Sequence, residues 1–158
     1  MGGKVSTFVI SRTLFGEVIC ARVILFRNPV LPVKEDGHEG AAGRPAPEKI
    51  PYAGKRCSCA GQIHVSVYGG ARPHIGAVSI RGFGPEETRD TEFSGHRDSV
   101  VSARWADALA DAGFAPVVAE AGIHYDNLSK EGVRAVLGCT EEMLAELLFA
   151  CRADESKV

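Results

Sequence analysis

An α+β fold, with two to three helices packed on a mainly antiparallel sheet of hairpin strands, is what this chain predicts. Three observations carry it. Apolar residues alternate at Ile19, Ala21, Val23 and Leu25, and again at Ile63, Val65 and Val67, the period-2 mark of strands with one buried face. Helical spacing begins only late, at Val101, Trp105, Ala108, Leu109 and Ala112, then at Leu144, Leu147, Leu148 and Cys151. Strands that come early and helices that come late argue against a doubly wound parallel sheet, which needs regular alternation from the start.

The chain has 158 residues, enough for a single domain spanning 1–158. Apolar residues make up 45% and charged residues 24%, a globular composition. The net charge of −2 is spread along the sequence without a basic block, so no nucleic-acid partner is expected. No apolar run reaches the roughly 18–20 residues of a membrane span. The start of the chain lacks the pattern of a secretory signal, and the odd, scattered set of five cysteines reads as reduced thiols. A cytoplasmic location is therefore expected. The stretch Met1–Ser6 matches a short myristoylation pattern, which is read as coincidence.

Each element has its own local reason. Phe8-Val9-Ile10 reads as a first strand, Phe15-Gly16 as a turn, and residues 17–26 as the second strand of a hairpin. Residues 28–61 hold Pro29, Pro32, Pro45, Pro47 and Pro51 and read as a long insertion loop. Within it, Cys57, Cys59 and His38 lack a fourth ligand, so surface thiols are favoured and no metal site is expected. Residues 62–68 alternate as a strand, and residues 74–80 form another, taken as its antiparallel neighbour. Gly82 to Phe93 reads as a polar connection. A helix follows, capped by Ser94 or Asp98 and closed by Gly113. Residues 115–124 form a further strand. A short helix carrying Val133, Val136 and Leu137, capped by Asn127 or Ser129, is stopped by Gly138, and a last helix opens at Thr140.

The common phosphate-loop, dinucleotide, hydrolase-elbow and zincin motifs are all absent, so no catalytic residues are assigned. What remains is a set of histidines at element ends: His74 at a strand start, His96 at a helix start and His124 at a strand end. Such junctions converge where ligands usually bind. Gly69-Gly70 leaves main-chain amides unshielded by a Cβ, although the same pair also suits a plain hairpin turn. Arg72 offers a fork for a phosphate, and the helix start near Gly95-His96-Arg97 offers free N–H groups. Glu120 and His124 share a strand face, fit for a metal, for acid–base work or equally for a solvated ion pair; His64 lies on the polar face of its strand and is read with the same alternatives. Trp105 lies on an apolar stripe and is read as core.

Gly69-Gly70-x-x-Pro73-His74-Ile75-Gly76-Ala77, then Gly95-His96 and Gly122-Ile123-His124-Tyr125-Asp126, resembles the prenylated-flavin chaperones of the LpdD type. The resemblance runs from about Gln62 to Leu148. It implies a fold similar to the proteasome-assembly chaperones, a homodimer and no catalysis. It also implies reduced prenylated FMN as bound cargo, delivered to the apo form of a UbiD-like, prenyl-FMN-dependent aromatic-acid decarboxylase. Carried over by motif position, Gly69, Gly70, Pro73, His74, Ile75, Gly76, His96, His124 and Asp126 become the binding-site candidates, with Arg72 added on charge. Two other readings stand beside it: a small metal-dependent hydrolase or lyase using His74, His96 and His124, and a ligand-free assembly chaperone.

Overall fold

The computed structural model describes residues 4–27 and 61–153. The predicted loop over 28–60, with His38, Cys57 and Cys59, lies outside the described residues. Six strands form one sheet: β1 (Lys4–Leu14), β2 (Glu17–Arg27), β3 (Gly61–Gly70), β4 (Ala77–Arg81), β5 (Arg89–Glu92) and β6 (Val117–His124). Two helices accompany them, α1 (Ser99–Asp111) and α2 (Lys130–Ala153). The α+β class is as expected, and four of the five strand pairings are antiparallel.

The β1–β2 hairpin turns at Phe15 and Gly16, which both hold positive φ (54° and 83°), the backbone of a tight turn matched to strand twist. Phe15 carries a side chain in a region that suits glycine. Its ring packs edge-on against Tyr125 with centroids 5.8 Å apart, and the Tyr125 hydroxyl donates to the Leu14 carbonyl at 3.1 Å, tying this turn to the end of β6.

The strand order is β1-β2-β3-β6-β4-β5. This corrects the expectation that β3 and β4 are antiparallel neighbours: β6 lies between them, parallel to β3 and antiparallel to β4. Sequence adjacency favours a hairpin, but Val117, Ala119 and Ala121 are almost wholly buried, and flanking strands on both sides shield them more fully than an edge position would. Gly69-Gly70 is accordingly the end of a strand, not a hairpin turn.

Two further expectations change. The polar connection 82–93 contains a short 3₁₀ turn at Pro85–Glu87 and the edge strand β5, whose four residues are all exposed. The predicted pair of C-terminal helices is one continuous helix, α2. Gly138 does not stop it because burial of Val136, Met143, Leu144 and Leu147 along one stripe outweighs the roughly 1 kcal/mol that glycine costs inside a helix. Gly138 is exposed and a Cβ there would meet nothing within 4 Å. Gly138→Ala is therefore expected to raise stability by about 1 kcal/mol in urea unfolding.

The core is built as the pattern predicts. Ile19, Ala21, Val23 and Leu25 of β2, Ile63, Val65 and Val67 of β3, and Trp105 and Leu109 of α1 are buried in one cluster with α2. Both helices therefore cover the same sheet face. Asp111 ends α1 and Gly113 follows at φ 95°, the closing role expected of it.

Candidate functional site

Because β3 runs parallel to β6, the chain must cross the end of β6 to reach β4. Residues 71–76 make that crossing, anchored by the Gly76 N–H donating to the Ala121 carbonyl at 2.8 Å. The crossing passes so close to β6 that a Cβ on Gly122 would lie 2.5 Å from the His74 carbonyl carbon. The path places His74 beside the start of α1 and beside the end of β6, which is how three histidines far apart in sequence meet.

His74 Nε2 lies 2.9 Å from His96 Nδ1, and the two rings are tilted against each other with centroids 4.3 Å apart. The His124 ring stands edge-on to His74 at 6.1 Å. Asp98 joins them, its Oδ2 3.3 Å from His74 Nε2 and 3.7 Å from His96 Nδ1. Asp98 flanks α1 as its cap residue, yet its carboxylate does not cap. Its Oδ1 instead accepts the N–H of Ile123 at 3.0 Å. Glu92 takes over at the helix start, accepting from the Ser99 N–H at 3.1 Å and from the Ser99 hydroxyl. Those bonds hold the Glu92 carboxyl below its ordinary value.

A second polar group sits at the rim. Arg72 pairs with Asp126 and lies 3.0 Å from His124 Nε2, which is itself 3.1 Å from Asp126. Bonding to His124, then to Arg72, pulls the Asp126 carboxyl below its ordinary 3.8. Its contribution is present above the unfolded value and is lost as pH falls through the lowered folded value. In a carboxyl NMR titration Asp126 should show a midpoint below 3.8, moving up in Arg72→Ala.

Between the first turns of α1 and α2, at the end of β6, lies a cleft of 310 Å³. His74, His96, Arg97, Asp98 and His124 form its polar side, and Val101, Ile123, Val136 and Leu137 its apolar side. Tyr125 also lines it, with burial pushing its hydroxyl upward in pKa. Both helix starts are already capped, α1 by Glu92 on the Ser99 N–H and α2 by the Ser129 hydroxyl on the Gly132 N–H, so a cationic side chain rather than a helix end offers the cleft's anion contact. Arg97 is exposed and has no ion-pair partner within 4 Å among the described residues, though it acts at a distance on Glu92.

Of the expected site residues, His74, His96 and His124 line the cleft. Arg72 and Asp126 stand at its rim, bonded to each other. Pro73, Ile75 and Gly76 belong to the crossing, Ile75 being exposed. Gly69 and Gly70 are buried in the sheet: a Cβ on Gly69 would lie 2.6 Å from Ile19 Cα, and one on Gly70 2.8 Å from the His124 carbonyl carbon. Their missing side chains serve strand packing. The Glu120–His124 pair does not form. Glu120 accepts from the Ser66 hydroxyl at 2.8 Å and lies 3.4 Å from His64 Nε2. Sequence reading named Arg97 within the helix start and Tyr125 within the motif without counting either as a site residue; it missed the apolar wall from α2, and Asp98 was visible only as a helix cap.

A sheet with both helices on one face and a polar–apolar cleft at the end of β6 is an α+β fold with room for a small ligand. The family model of the prenylated flavin chaperone LpdD-like domain matches residues 53–152, from before β3 nearly to the end of α2, and the chain belongs to that family. It is a chaperone family, in keeping with a non-catalytic role, and its cargo is a prenylated flavin. No curated protein matches the chain significantly. No helix among the described residues is long and apolar enough to cross a membrane.

Proposed function

We propose that the chain holds reduced prenylated FMN in the cleft between α1 and α2 and passes it to the apo form of a UbiD-like aromatic-acid decarboxylase. The observation that carries this is the convergence of His74, His96 and His124 on a cleft with one apolar wall and the exposed cation Arg97. An isoprenoid-extended flavin has matching parts: an apolar ring system, polar ring edges and a phosphate. The histidines orient the ring edges and do no acid–base work. Arg97 takes the phosphate, while Arg72 and Asp126 brace His124. Pro73, Ile75 and Gly76 shape the crossing that presents His74.

At 310 Å³ the cleft is at the low end for ligand pockets, so it encloses part of the cargo and leaves part accessible. That suits a carrier, which has to release what it binds. Two copies of the chain form the working unit in this reading, checked by light scattering for twice the monomer mass.

The test is an anaerobic titration with reduced prenyl-FMN, using oxidised prenyl-FMN and FMN as comparators. Loaded protein is then mixed with an apo-decarboxylase. Saturable binding followed by gain of decarboxylase activity is expected. Binding of none of the three flavins would sink the proposal.

A further inference from the structure

His74, His96 and Asp98 present three donor atoms to one point: Nε2, Nδ1 and Oδ2, separated by 2.9, 3.3 and 3.7 Å. A metal with bonds of about 2.0–2.2 Å holds neighbouring donors about 2.8 Å apart at right angles and up to about 3.8 Å apart at 120°. From this match we propose that the three residues form a binding site for a divalent transition-metal ion.

The tautomer supports it. His74 Nδ1 lies 3.0 Å from the Arg72 carbonyl oxygen, which can only accept, so Nδ1 carries the proton. Nε2 is then the ring atom turned toward His96 Nδ1 and Asp98 Oδ2. Histidine ligands to metals are commonly fixed in this way, the distal N–H donated to a main-chain carbonyl.

A shared proton is the competing explanation. A proton on His74 Nε2 would be shared by His96 Nδ1 at 2.9 Å and Asp98 Oδ2 at 3.3 Å, and metal titration separates the two explanations. A metal ion takes all three at once.

The surroundings are built around the cluster. Asp98 is anchored by the Ile123 N–H and relieved of helix capping by Glu92. A Cβ on Gly76 would lie 2.7 Å from Asp98 Cγ and 3.0 Å from His74 Nε2, so glycine there keeps the cluster's space open. The His74 and Asp98 side chains are 23% and 11% exposed, so the donors are sheltered but reachable.

Two imidazoles and one carboxylate suit Zn²⁺, Co²⁺, Fe²⁺ or Mn²⁺ better than Mg²⁺ or Ca²⁺, which prefer all-oxygen shells. Three protein ligands leave a coordination position for water or an oxygen ligand in the cleft. His124 is held by Arg72 and Asp126 and is not counted as a ligand.

The test uses the tag-free full chain, stripped with chelator and titrated with Co²⁺ and Zn²⁺ in the absence of flavin. Failure therefore does not bear on cargo binding. One equivalent per chain is expected, with Kd of micromolar or below and a visible Co²⁺ absorption band. Asp98→Asn, which keeps an oxygen for the Ile123 N–H, and His96→Gln should each weaken binding at least tenfold, with metal-free melts confirming that both fold. A Cys57→Ser, Cys59→Ser double variant should bind fully. No saturable binding of either ion overturns the proposal. So does binding that survives His96→Gln but is lost in the cysteine variant.

Discussion

Gly122→Ala is expected to destabilise the fold by about 3 kcal/mol, at the upper end of ordinary overpacking effects, and to abolish flavin binding in whatever protein remains folded. The cause is local and backbone against backbone. A methyl at residue 122 would meet the His74 carbonyl carbon at 2.5 Å and the Ile75 nitrogen at 3.1 Å. No rotamer relieves a contact with main-chain atoms, so either β6 or the crossing over residues 71–76 has to shift. β6 is pinned on both sides, by β3 and β4, and the crossing is pinned by the Gly76–Ala121 hydrogen bond. Displacing the crossing carries His74 away from His96 and Asp98. Urea unfolding of Gly122→Ala beside Gly138→Ala makes the check, because the same substitution should move stability in opposite directions. A wild-type midpoint in Gly122→Ala would mean that the crossing does not lie against β6.

The contrast between those two glycines also shows what local pattern can and cannot reveal. The inward faces of β2 and β3 and the Trp105–Leu109 stripe of α1 were legible because side-chain alternation is a property of a few consecutive residues. The insertion of β6 between β3 and β4 was not. It depends on which apolar face needs covering on both sides, a comparison across some fifty residues. Gly69-Gly70 looked like a turn because glycine pairs usually make turns, whereas here the reason for glycine is the approach of β2 and β6 main chain. Gly138 looked like a stop because its cost is local, while the burial that outweighs it runs the length of α2.

The histidines were legible as residues at element ends, and three of the ten expected site positions line the cleft. What brings His74 to His96 is the crossing connection, which follows from strand order and so could not be read before it. Asp98 was hidden by its position: at a helix start, capping is the ordinary use of an aspartate, and only the contact of Glu92 with Ser99 reveals that Asp98 is free for another role.

Arg97→Ala is expected to weaken reduced prenyl-FMN binding roughly tenfold, the effect of removing one exposed charge-assisted contact to a phosphate. Arg72→Ala should cost far less, although Arg72 was the expected phosphate fork. Both guanidiniums are exposed. Arg72, however, already has the carboxylate of Asp126 against it, and an incoming phosphate would meet that negative charge together with the arginine. Arg97 lines the cleft beside the N-terminus of α1 with no ion-pair partner among the described residues. Glu92 caps the α1 start and feels Arg97 only at a distance, so the Arg97 guanidinium keeps its hydrogen-bonding fork open to a phosphate, whereas that of Arg72 is already engaged. The same reasoning gives a sign for a third variant: Asp126→Asn removes a negative charge near the rim and should tighten binding modestly. Added salt should shrink all three differences, since exposed charges are screened within about 8–10 Å at moderate ionic strength. Anaerobic fluorescence titration of the three variants at two salt concentrations checks the ranking. An equal loss in Arg72→Ala and Arg97→Ala would place the phosphate at the rim, between Arg72 and His124, and not at the start of α1.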